Sequence, residues 1–130
     1  MKTTTIWKGN HLFESEHEGN KIHVDGDKKA GHGPKALLLS GLAGCSGIDV
    51  VDILEKMRVD FSDFSIVVDS AQTEENPKVF KWVEITYRIK TAASNEEKVR
   101  KAIELSLERY CGVAAILKKS SPVNYKLIIE

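Results

Sequence analysis

Two thiols, Cys45 and Cys111, are the side chains of this sequence best suited to covalent chemistry. A cysteine reacts as its thiolate, which a helix N-terminus or a nearby cation favours and apolar burial disfavours. The run Val113–Lys118 reads as a short helix, which puts Cys111 near its start and so places it for reactivity. Cys45 falls in mid-helix, with Gly41 and Asp49 one turn away, and nothing local activates it. On residue type alone the pair is either two packed core cysteines or a reactive set. Asp49 and Asp52 form a polar helix face or accept hydrogen bonds close to the thiol. The histidines at 11, 17, 23 and 32 lack the i,i+4 spacing of helical metal ligands, and none neighbours a cysteine. They read as strand and loop residues, and no metal or other cofactor is expected. Lys28, Lys29, His32 and Lys35 form a basic cluster that is either a solvated loop or a partner for an anion at the following helix start.

The element that must position this chemistry runs from Gly33 to Met57. Pro34 suits a first helical position, where its missing N–H costs nothing. Gly41, Gly44 and Gly47 each cost about 1 kcal/mol against Ala, so one helix that keeps all three uses them to let another backbone approach. Residues 36–48 are apolar or small on every side and are expected to be buried all round. Beyond them Val50, Ile53, Leu54 and Met57 share one face, opposite Asp49, Asp52 and Lys56.

Around this helix the alternation pattern predicts strands at 3–8, 11–16 and 21–25, with Gly9-Asn10 and Glu18-Gly19-Asn20 as turns. A strand at 64–69 and a longer one at 79–90 follow, the latter pointing Val83, Ile85, Tyr87 and Ile89 one way. Ser94 and Glu97 match a capping box opening a helix to about Arg109. Tyr110-Cys111-Gly112 interrupts, and Val123, Tyr125, Leu127 and Ile129 alternate as a closing strand. The predicted order is βββ-α-ββ-α-α-β, a single α+β domain over 1–130.

Nineteen basic and nineteen acidic residues balance to zero net charge, which argues against a protein that grips nucleic acid by neutralising phosphates. The N-terminus lacks the apolar stretch of a signal peptide. The longest apolar run, interrupted by Ser40 and Gly41, is counted as too short for the ~20 residues of a membrane span. A cytoplasmic protein without membrane or nucleic-acid partners is expected. Two distant cysteines make no disulfide framework.

The string Gly-Pro-x5-Ser-Gly-Leu-Ala-Gly-Cys-Ser-Gly-Ile-Asp-Val-Val from residue 33, with Glu-Arg-Tyr-Cys-Gly-Val-Ala from 108, resembles the OsmC/Ohr family. The resemblance covers nearly the whole chain and is nearest the YhfA-like branch. It implies an intertwined homodimer with the central helices packed in the middle and a thiol peroxidase site at the interface. In that reading Cys45 matches the peroxidatic cysteine that attacks an organic hydroperoxide, and Cys111 matches the resolving cysteine. A low-molecular-weight thiol or a dithiol protein then restores the pair. The family's glutamate ahead of the first cysteine has no counterpart among residues 34–37, and no arginine precedes Arg58. Support for the thiolate would fall to Lys8, His17, Lys21 or Lys35, none of which offers arginine's bidentate fork, with Asp49 close to the thiol. The alternative on the same fold is a non-catalytic or weakly active protein holding a small apolar or thiol-reactive ligand.

Overall fold

The computed structural model describes residues 1–130 and divides into two compact units, Met1–Leu39 and Ser40–Glu130. In the first unit β1 (Thr4–Gly9), β2 (Leu12–His17) and β3 (Asn20–Asp25) form an antiparallel meander. Both turns lie where the glycines predict them, with Gly9 and Asn10, then Glu18 and Gly19, at positive φ. A loop then closes on the buried Asp25 carboxylate, which accepts from the backbone N–H groups of Asp27 (2.9 Å), Lys29 (3.2 Å) and Ala30 (3.0 Å). These bonds to the charged form hold the Asp25 carboxyl below its usual range.

Helix α1 (Pro34–Lys56) begins in the first unit and continues through the second. The second unit also holds β4 (Ser62–Gln72), β5 (Phe80–Lys90), α2 (Glu96–Leu105), α3 (Gly112–Lys118) and β6 (Val123–Ile129). The observed order is therefore the α+β succession predicted, βββ-α-ββ-α-α-β. Strand β5 is central, antiparallel to β4 and parallel to β6, with Tyr87 opposite Ile66 on one side and Leu127 on the other. Its Val83, Ile85, Tyr87 and Ile89 are fully buried, as the alternation predicts. Leu42, Ser46, Val50 and Leu54 supply the buried stripe of α1, four residues apart. Val99, Ala102 and Ile103 do the same for α2, and Ala114 and Leu117 for α3.

Three expectations need correction. Residues 36–48 are not buried all round, because the core covers one stripe of the helix. Leu38 and Ile48 are 49% and 65% exposed, and Gly41 and Gly44 are also exposed. Next, Ser94 does not cap α2. The chain enters through a 3-10 turn at Ala93–Asn95, whose bond from Asn95 N–H to the Ala92 carbonyl displaces the capping geometry. Last, the 23-residue α1 is long and apolar enough to cross a membrane by length and composition, because small residues rather than charges interrupt its run.

Candidate active site

Cys45 and Cys111 come from different elements. Cys45 sits half-buried on α1, one residue before Ser46 and one turn before Asp49. Cys111 ends a π-helical turn over Ser106–Tyr110 and is at the same time the N-cap of α3. The wide turn arises because the Cys111 N–H donates to the Ser106 carbonyl, five residues back, at 2.7 Å. Cys111 then turns to extended backbone (φ −75°, ψ 101°), and its sulfur accepts from the Ala114 N–H at 3.4 Å. Gly112 follows with open space around it, so the turn is not crowded on that side.

The two thiols lie near enough for each to bear on the other's ionisation. Cys111 is only 2% exposed, and burial pushes its thiol up to about 11. The neighbouring Cys45 thiol adds to that rise, as does the charge of Asp49, and the Ala114 amide opposes it. The helix-start activation anticipated for Cys111 is present in that one amide and is outweighed by desolvation. In the reduced protein Cys111 is a neutral thiol at physiological pH.

Next to the thiols lies a buried polar chain that sequence reasoning did not assemble. Ser106 Oγ lies 2.9 Å from both Ser46 Oγ and Asp49 Oδ2, and Ser46 Oγ lies 2.6 Å from the Tyr87 hydroxyl. Ser46, Ser106 and Tyr87 have no exposed surface. Burial pushes the Tyr87 phenol up to about 12, with Ser46 opposing and the charges of Cys111, Tyr125 and Asp49 adding to the rise. A usable signal did exist. Ser46 and Ser106 are hydroxyls on apolar helix faces, and a buried hydroxyl must find a partner.

Of the candidate residues, the structure brings Cys45, Cys111 and Asp49 together. Lys8, His17, Lys21 and Lys35 belong to the N-terminal unit. There His17 Nδ1 lies 2.8 Å from the Lys2 carbonyl and its Nε2 3.7 Å from Glu18. Lys21 lies 3.6 Å from Glu14, which also faces His23 at 3.5 Å. Lys8 is exposed on β1, and Lys35 is partly buried in the first turn of α1. No group of three or more histidine, cysteine or acidic side chains stands where it could hold a metal ion.

Two clefts flank α1 within the second unit. One of about 520 Å³ is lined by Ala43, Gly44, Gly47, Ile48, Phe64 and Ile66 among others, and is mostly apolar. The other, about 420 Å³, is lined by Asp49, Asp52, Ile53, Met57, Leu105 and Tyr110 among others.

A thiol pair held between a long glycine-bearing helix and the crossover of a three-stranded sheet defines a class of α+β dithiol domains. Residues 25–126 match the family of OsmC-like proteins, and the chain belongs to that family. It is 32% identical over 127 residues to Protein YhfA of Escherichia coli strain K12, which covers 96% of this chain and 95% of that one. The OsmC-like protein of Mycoplasma pneumoniae superposes with a TM-score of 0.86 at 18% identity, covering 98% of this chain and 95% of that chain. An organic hydroperoxide resistance protein from Elizabethkingia anophelis gives 0.73 at 13% identity, covering 98% and 94%. These two likenesses establish the fold, and they agree with the family that the cysteine motifs resemble.

Proposed function

We propose that this protein is a thiol-dependent organic hydroperoxide reductase with Cys45 as nucleophile and Cys111 as resolving cysteine. The Cys45 thiolate attacks the distal oxygen of the hydroperoxide, the O–O bond breaks, and an alcohol leaves with a proton. Cys45 is left as a sulfenic acid. The Cys111 sulfur then bonds to the Cys45 sulfur, and the displaced hydroxide departs as water with the Cys111 proton. A low-molecular-weight thiol or dithiol protein reduces the disulfide and completes the cycle. Lys8, His17, Lys21 and Lys35 are the candidates to support the Cys45 thiolate. The working form is a soluble cytoplasmic homodimer, in which a second copy covers the exposed face of α1.

The observation that carries this reading is the proximity of two thiols supplied by separate elements, Cys45 on α1 and Cys111 at the start of α3. Packed core cysteines need no such pairing, and a resolving mechanism does. A neutral Cys111 also suits its role, because it leaves Cys45 to make the first attack.

The test is to treat the reduced protein with cumene hydroperoxide, count free thiols and map the product by mass spectrometry. The expected result is loss of both thiols and an intramolecular 45–111 bridge. Survival of both thiols in excess hydroperoxide would sink the proposal and leave a ligand-binding protein, with the apolar cleft beside Gly44 and Gly47 as its site.

A further inference from the structure

Ser106 bonds both to the helix that carries Cys45 and to the backbone of Cys111. Its side chain is gripped from α1 by Ser46 and Asp49, one residue and one turn beyond Cys45. Its backbone carbonyl accepts the Cys111 N–H at 2.7 Å. One residue thus ties the helix that carries Cys45 to the turn that ends in Cys111. The hydroxyl bond reaches a carboxylate, the stronger kind of hydrogen bond. The far side of the turn is also pinned, since Lys118 Nζ on α3 donates to the Leu107 carbonyl at 2.6 Å.

We infer that Ser106 is the positioning residue for the resolving step: through Asp49 and Ser46 it holds Cys111 against the sulfur of an oxidised Cys45. The inference rests on the peroxidase reading above. The step is the one already balanced, in which the S–S bond forms, the Cys45 S–O bond breaks and the Cys111 proton leaves in water. Ser106 takes no proton in it. What it supplies is proximity, which turns an encounter of two sulfurs into a reaction within one assembled site. The π turn explains why Ser106 does this rather than a neighbour. With five residues closing the ring, the residue that accepts the Cys111 amide is also the one facing α1.

Two measurements test the step apart from the first attack. The first follows reduced protein after one equivalent of cumene hydroperoxide, trapping sulfenic acid with dimedone and counting the 45–111 bridge. Ser106→Ala should form sulfenic acid as fast as the unaltered chain and close the bridge about ten- to a hundredfold more slowly, the factor carried by one hydrogen bond to a charged group. The second equilibrates the protein with reduced and oxidised glutathione, a route to the bridge that needs no hydroperoxide. There Ser106→Ala should lower the effective concentration of Cys111 for Cys45 by a similar factor. Asp49→Asn keeps an acceptor for the hydroxyl and should slow closure less than Ser106→Ala. Closure and glutathione equilibria equal to the unaltered chain in both variants would overturn the inference. If Ser106→Ala does not fold, Asp49→Asn decides, slower closure supporting it and unchanged closure overturning it. An unaltered chain that closes its bridge with glutathione but not with hydroperoxide would remove the peroxidase reading alone.

Discussion

The Tyr87 hydroxyl and Ser46 Oγ lie 2.6 Å apart, joining the central strand to the central helix where neither residue has exposed surface. Removing either oxygen has unequal consequences. Ser46→Ala strips the buried Tyr87 hydroxyl of its partner, at a cost of about 1–3 kcal/mol. Tyr87→Phe leaves Ser46 with the Ser106 bond and should cost about 1 kcal/mol. Urea unfolding should place the Ser46→Ala midpoint below that of Tyr87→Phe with unchanged slope. The reverse order would show that the hydroxyl chain is not what holds α1 to β5.

Alkaline pH tests the same core. Burial pushes Tyr87 up to about 12 and Cys111 up to about 11. In the unfolded chain a phenol loses its proton near pH ~10 and a thiol near ~8.5. The unfolded state therefore binds fewer protons in this window, and stability falls as pH rises. The contribution is fully present below about pH 8 and is lost as pH climbs towards the folded values. Urea midpoints measured at pH 8, 9.5 and 10.5 should decline in that order, and Cys111→Ser should flatten the early part of the decline. Midpoints constant to pH 10.5 would contradict the burial argument.

Alkylation should distinguish the two thiols. Cys111 is 2% exposed and neutral, whereas Cys45 is only half-buried. Iodoacetamide at pH 8 should label Cys45 first, with Cys111 following only when urea opens the fold. Equal labelling in the native protein would mean that the π turn opens readily.

For assembly, Gly44 is the informative position. A Cβ added there meets nothing within 4 Å in the single chain. Gly44→Leu should therefore preserve the monomer's circular dichroism while breaking the proposed dimer in sedimentation at low micromolar concentration. A Gly44→Leu protein that still sediments as a dimer would move the interface away from α1.

In the N-terminal unit, the Asp25 carboxylate is held below its usual range by three backbone donors. A depressed acid stabilises above its unfolded value of ~3.9 and loses that contribution as pH falls through the folded one. The amides of Asp27, Lys29 and Ala30 should be protected from hydrogen exchange at pH 5 and lose protection on acidification. Asp25→Ala should remove the protection at both pH values. Protection that survives Asp25→Ala would assign these amides to other acceptors.

Much of the fold was legible because its signals are local. Val83, Ile85, Tyr87 and Ile89 alternate, Gly9 and Gly19 mark turns, and Pro34 opens α1 where it stands. The motifs around Cys45 and Cys111 carried the family. What was not legible depends on partners far apart in sequence. The pairing of Ser46 with Ser106 spans sixty positions, and no window of either helix reveals it. Local chemistry also misled at Ser94, where a good capping sequence lost to a 3-10 entry. For Cys111, the short helix placed beside it suggested activation, and only the surrounding core shows that desolvation wins. Within one chain only a stripe of α1 is covered, because a helix apolar on every side does not say whether its cover comes from the same chain.

Strand β6 runs parallel to β5, so the polypeptide must cross over the sheet between them, and Cys111 rides on that crossover. Antiparallel β4 and β5 can zip together as soon as both are made, whereas a parallel pair must wait for a long connection to be completed. During synthesis, then, Cys45 emerges from the ribosome well before Cys111 and spends that interval without its proposed partner. An oxidant meeting such a half-made chain has only external thiols to hand Cys45 over to. Ribosome-stalled chains ending before residue 111 should collect mixed disulfides with glutathione at Cys45, while released chains exposed to the same oxidant seal themselves internally.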